Sequence, residues 1–250
     1  MCRHRHDPAA PASWHPLSSI QPLANGSPKQ VVEALERSQA DIDERMVELL
    51  IAKHNVNQLL NNYRFSAHHA IYDTIILEHI PEKHFLYFDV FNENAVKIGE
   101  DVDTVLEEWE INLRLTKRHM IKSGIPLALF HNVGCLVSQK NLLRRRLEIS
   151  RSFIAIDDTA LAERYGAQVR PSGTYLTMYK KSYSEPDGTH KVNAEREGLI
   201  ALLDYAQEHK MTLIGDYYGI IIGETPVFGY EGREMLLKLE IPVSYDGTSL

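Results

Sequence analysis

Cysteine is almost absent from this chain of 250 residues: Cys2 and Cys135 are the only two, far apart and in unrelated surroundings. A disulfide framework is therefore not expected, and a reducing compartment is, with the cytoplasm as the default. No run approaches the roughly 18 apolar residues that a membrane span requires, and the first residues lack the apolar core of a signal peptide. Excess positive charge is also missing. The formal net charge is −7, so no surface of clustered cations is expected along a phosphate backbone. The fingerprints of phosphate loops, dinucleotide folds, serine-hydrolase elbows and zinc proteases are all lacking.

What is present begins with residues 1–16, rich in Pro, Ala, His and Arg and without periodicity, which read as disordered. Cys2, His4, His6 and His15 match no metal-finger spacing, so neither a metal nor a cofactor is expected. Leu17, Ile20 and Leu23 suggest a short helix limited by Pro22, and Asn25-Gly26 makes a turn.

Ser27 then starts a helix, with Pro28 at its first position and Gln30 completing a capping box. No Gly or Pro follows until Pro81. Leu35, Ile42, Leu49, Val56 and Tyr63 recur every seven residues, and Val32, Gln39, Met46, Lys53 and Leu60 form the companion register. This is a coiled-coil seam over more than four heptads, on a helix of about 55 Å from residue 27 to about 63. Self-pairing through Leu35, Ile42, Met46, Leu49, Val56 and Leu60 makes the chain a homodimer. The competing reading lays the helix along the chain's own core.

Beyond residue 71 the pattern strand–helix–strand–strand occurs twice. Expected strands are 75–77, 85–91, 127–137, 148–157, 172–183, 212–223 and 234–243, and expected helices are 103–121 and 192–209. The fold class is α+β: a long N-terminal helix, then a duplicated domain with an antiparallel sheet and helices on one face. The divisions are 1–26, 27–66 and 67–250. Alternation assigns Leu237, Leu239, Ile241 and Val243 to the helix side and Lys238, Glu240 and Pro242 to the other. Likewise Leu176 and Met178 oppose Tyr175, Thr177, Tyr179 and Tyr183. Six of the 12 tyrosines fall between Tyr175 and Tyr218. Flat rings beside a carboxylate suit a planar, apolar or cationic small molecule, although Tyr is also simply a good strand former.

Four stretches carry a resemblance to a known family. They are residues 27–36 (SPKQVVEALE), 134–142 (GCLVSQKNL), 170–176 (RPSGTYL) and 239–243 (LEIPV). In this order they resemble MerR-type transcription regulators with a GyrI-like effector-binding domain, the resemblance running from about Leu17 to Val243. It implies an antiparallel helix pairing, a small-molecule effector and ligand-responsive regulation. It implies promoter DNA as a partner only where a winged helix precedes the helix, and here only Leu17 to Leu23 resemble that reader. Relatives that bind cations carry a glutamate, then a tyrosine two residues on, at positions occupied here by Gly219 and Ile221. Glu240 is the carboxylate that could substitute. The ligand-contacting set is Trp109, Tyr175, Tyr179, Tyr217, Gly219, Ile221 and Glu240. No enzymatic activity is expected. A GyrI-like hydrolase, with Trp109, Tyr179 and Glu240 as general base, is the alternative, and a ligand-sequestering protein without DNA binding is another. Arg144-Arg145-Arg146 reads as a solvated loop.

Overall fold

A computed structural model describes residues 27–68, 71–89, 98, 102–131, 133–183, 193–226 and 233–245. The readings made for residues 1–26 lie outside these. By contacts the described chain divides into two units between Leu50 and Ile51, within the first helix.

That helix, α1, runs Pro28–His68. Its start follows from the capping chemistry: the Gln30 side chain accepts from the Ser27 backbone N–H at 2.9 Å, and Val31 N–H returns to the Ser27 carbonyl. The seam positions are open to solvent. Leu35, Met46, Leu49, Val56, Leu60 and Tyr63 are all exposed, Leu49 at 63%, and Ile42 is half-buried. From residue 51 onward a second face is covered. Ile51, His54 and Gln58 are buried, spaced so that they share one side of the helix, opposite Val56 and Leu60. One side of 51–65 thus packs on the chain's own second unit, as the competing reading of the helix expects, and the seam is left exposed.

The second unit is α+β as expected. After α1 come β1 (Ile75–Ile80), β2 (Lys83–Asp89), α2 (Val102–Lys122), β3 (Val133–Val137), α3 (Gln139–Leu142), β4 (Ile149–Ile156), α4 (Thr159–Tyr165), β5 (Gln168–Arg170), β6 (Gly173–Tyr183), α5 (Ala194–Glu208), β7 (Thr212–Leu213), β8 (Tyr217–Pro226) and β9 (Arg233–Ser244). The repeat is β2-α2-β3-β4 followed by β6-α5-β8-β9. Several details differ from expectation. Leu127–Leu129 form a 3-10 turn before β3. The single strand expected over 212–223 is two, because the chain turns at Gly215-Asp216 and Asp216 accepts from the Gln139 N–H at 2.7 Å. Short α4 and β5 were not anticipated, although Asp158 caps α4 by accepting from Leu161 N–H, and Gly166 ends it in the left-handed region at φ 69°.

All pairings are antiparallel and run in the order β1-β6-β9-β8-β3-β4-β2-β5, with β7 on β9. The halves meet at β8–β3, and each leading strand crosses over: β1 pairs with β6, and β5 with β2. Only two residues join β1 to β2, and only two join β5 to β6, although each joined pair lies at opposite ends of the order. Two residues span no more than about 11 Å between the flanking strand ends, so the sheet must curl until its ends meet.

Side chains identify the inner face. Phe85 of β2 and Tyr218 of β8, three strands apart, have ring centroids 5.6 Å from one another. Phe85, Leu136, Phe153, Tyr218 and Ile220 form the inner core. The outer face carries Cys135, Val137, Leu176, Met178, Leu237, Leu239, Ile241 and Val243 beneath Leu199, Leu202, Leu203 and Ala206 of α5. The alternation read on β6 and β9 is thus the one observed.

Gly134 is where the inner core reaches the backbone. A Cβ there would run into the Phe153 ring and stand 2.7 Å from the Gly219 carbonyl oxygen. Replacing Gly134 by Ala is expected to cost about 1–3 kcal/mol by overpacking. In urea unfolding the midpoint should fall at unchanged slope; an unaltered midpoint would mean that the Phe153 ring moves freely.

Candidate functional site

The inner face holds a concentration of charge unusual for a sheet interior. Arg170, at the end of β5, and Glu240, in the middle of β9, are 1% and 0% exposed and form an ion pair through Arg170 Nη1 and Glu240 Oε2. These strands stand five places apart in the sheet, so the pair spans the curl. Lys238, two residues before Glu240 on the same strand face, reaches Glu240 Oε1 at 2.7 Å and Glu78 of β1 at 3.4 Å. Lys83 of β2 is the cross-strand partner of Arg170 and feels both Glu240 and Arg170.

Rings surround these charges. The Arg170 guanidinium carbon lies 4.7 Å from the Tyr175 centroid, 5.0 Å from Tyr218 and 5.2 Å from Phe85, and Lys238 Nζ lies 5.4 Å from Tyr179. Tyr175 donates to the Pro171 carbonyl at 3.1 Å, fixing its ring beside Arg170. Tyr87 and Tyr218 are joined through their hydroxyls, and burial raises the Tyr218 phenol well above its ordinary value.

The carboxylate is not a free receptor for a cation. Burial alone would push Glu240 up, but Lys238, Arg170 and Lys83 outweigh it and hold the acid below the ordinary carboxylate value. Burial similarly works against the Lys238 ammonium, yet Glu240 beside it raises the amine above its usual range. On Lys83 burial prevails and lowers the amine.

Of the expected ligand set, Tyr175, Tyr179 and Glu240 share the inner face. Trp109, Tyr217, Gly219 and Ile221 do not join them: Tyr217 belongs to the outer core, and Trp109 and Ile221 pack against it. Gly219 lies on the same strand face as Tyr217. Their arrangement has its own logic. Glu195, in the first turn of α5, accepts at Oε1 from the Cys135 thiol at 2.8 Å and from the Tyr217 hydroxyl at 2.9 Å. A Cβ on Gly219 would collide with the Glu195 carboxylate and stand 2.7 Å from the Tyr217 hydroxyl oxygen. The space that a side chain at 219 would fill is thus taken by an acid from the helix. Burial raises Glu195 despite its two hydrogen bonds, and burial with the nearby Glu195 charge pushes the Cys135 thiol and the Tyr217 phenol well up.

Arg170, Lys83 and Glu195 were missed from sequence. Arg170 stood in the stretch RPSGTYL, where it read as a mark of resemblance rather than a buried charge. Arg145 of the basic cluster pairs with Asp204 at 2.7 Å on the surface. Among the described residues no group of three or more His, Cys, Asp or Glu could hold a metal ion, and no helix is long and apolar enough to cross a membrane.

Removing one member of the Arg170–Glu240 pair is expected to cost about 3–5 kcal/mol, and the double replacement less than the sum, since the remaining charge is then not stranded. Urea unfolding of Arg170→Met, Glu240→Leu and the double variant measures this; additive losses would refute the coupling. Because Glu240 is held below its unfolded-state value, its stabilisation is present above about pH 4 and lost as pH falls through the folded value. The acid slope of stability should be shallower in Glu240→Gln.

No family model matches this sequence, and no curated protein matches it. Solved structures do. A complex of EcmrR with DNA is 14% identical, covering 91% of this chain and 81% of that one, with a TM-score of 0.42. A protein solved with tetraphenylphosphonium is 9% identical over 68% of this chain and 94% of that one, TM-score 0.37. A hydrolase from Listeria innocua is 13% identical over 73% and 98%, TM-score 0.35.

Proposed function

We propose that this chain is the ligand-responsive part of a transcription regulator of MerR type, dimeric through an antiparallel pairing of α1. Its effector is a small planar or hydrophobic molecule received by the aromatic inner face of the curled sheet. One observation carries this reading: the covered side of α1 contacts both repeats. Phe65 packs against Tyr179, in the second repeat, with centroids 4.7 Å apart and the rings tilted by 35°. Gln58 donates to Asp157 at 2.6 Å and Asn55 to the Ala128 carbonyl at 2.8 Å, in the first. A ligand that displaces Tyr179, or changes how far the repeats open, acts on the helix through these contacts. Such coupling requires different affinities for two arrangements. The uncovered seam of α1 is the face that would pass the change to a second copy. Promoter DNA would be a partner of a longer chain bearing a winged helix.

Turnover is not part of the proposal. The hydrolytic alternative needs Trp109, Tyr179 and Glu240 together, whereas Trp109 packs on the outer core and Glu240 is held by Lys238, Arg170 and Lys83, which weaken it as a base.

Sedimentation should show a dimer, and Leu49→Glu should give monomers; a monomeric wild type would remove the dimer from the proposal. For the effector, hydrogen exchange in residues 51–65 should change when a stacking compound binds, and Tyr179→Ala should abolish both binding and the exchange response. Binding with unchanged exchange in 51–65 would separate the site from the helix.

A further inference from the structure

Beyond the effector reading, on which this rests, we infer that the ligand is an anion: a flat aromatic ring bearing a carboxylate, received by one edge of the Arg170 guanidinium. Arg170 Nη1 is committed to Glu240. Nε and Nη2, which form the other edge, are buried and have no hydrogen-bond partner among the described residues. Those two N–H groups point in parallel, the geometry that grips both oxygens of one carboxylate. Thr177, the cross-strand neighbour of Glu240, is wholly buried and also has an unpartnered hydroxyl. Buried donors in native proteins almost always find acceptors; here three lie beside Glu240, whose Oε2 is taken by Arg170 Nη1 and whose Oε1 is ion-paired to Lys238 without a well-directed hydrogen bond.

The charge balance points the same way. Lys83, Arg170 and Lys238 gather on Glu240, with Glu78 beside Lys238 and Asp157 acting on Lys83, so this carboxylate is already matched by more than one cation. An incoming cation would have to displace Arg170 or Lys238 from Glu240, whereas an incoming carboxylate finds donors unoccupied. Tyr175, Tyr218 and Phe85 around the guanidinium supply the stacking surface for its ring. Glu240 thus acts as the counter-ion that holds Arg170 in place and leaves its free edge to the ligand.

Calorimetric titration with naphthoate, naphthylmethanol and naphthylmethylammonium tests this, since the three differ chiefly in charge. Naphthoate should bind wild type about tenfold or more tightly than the alcohol, and the ammonium least. Arg170→Lys keeps a positive charge for Glu240 but lacks the paired N–H edge, so it should lose that preference while still binding the alcohol. Should that variant not fold by circular dichroism, Lys83→Met is the second arm: it should weaken naphthoate and leave the alcohol unchanged. No naphthoate binding to wild type, or binding unchanged in the variant that folds, overturns the inference. Equal or tighter binding of the alcohol or the ammonium, lost in Tyr179→Ala, would overturn the anion class and leave the sensing proposal standing.

Discussion

The pairing of Arg170 with Glu240 is the constraint around which the rest of the curled sheet is arranged. Two opposite charges without solvent are tolerable only when each satisfies the other, and these two come from strands five places apart. Their meeting requires the curl. It draws β5, a strand of three residues, over the inner face, and it places a guanidinium among three rings. Lys238 and Lys83 add to the same carboxylate, and Lys238 connects it to Tyr179, on which Phe65 of α1 rests. A chain of contacts therefore leads from the buried pair to the long helix.

The inner and outer faces illustrate two uses of a buried carboxylate. On the inner face Glu240 is ionised by its cations and serves as an anchor. On the outer face the hydrogen-bond partners of Glu195 among the described residues are a thiol and a phenol, with no cation, and burial raises it. The resemblance in sequence places an acid at position 219. The structure has glycine there because a helix-borne acid already fills the space. Neither carboxylate is an open receptor for positive charge.

Much of this was legible in the sequence where one face of an element was clearly apolar. Leu237, Leu239, Ile241 and Val243 against Lys238 and Glu240 fixed the orientation of β9, and the seam of α1 was readable from its spacing. On β8 the same logic had no purchase. Tyr217-Tyr218-Gly219-Ile220-Ile221-Ile222 is apolar on both sides, so alternation could not say that Tyr218 and Ile220 turn inward while Tyr217, Gly219 and Ile221 turn outward. Trp109 was grouped with the inner rings for a related reason: it lies on the face of α2 that packs on the outer core, the side away from Tyr175 and Tyr179. Arg170 was illegible because a lone arginine beside a proline reads as a loop, and only the pairing of β5 with β2 makes it interior.

The crossing of the leading strands has a consequence for how the unit is put together. β1 completes the edge of the second repeat, and β5 completes that of the first. Each half taken alone would lack its outermost strand and expose the backbone of β2 or β6 to any neighbouring chain. The pairing of β1 with β6 joins residues about a hundred positions apart, so β1 finds its partner only after the whole first repeat has been synthesised. Until then β1 stands unpaired in the growing chain, and Glu78 within it is the charge that discourages mispairing.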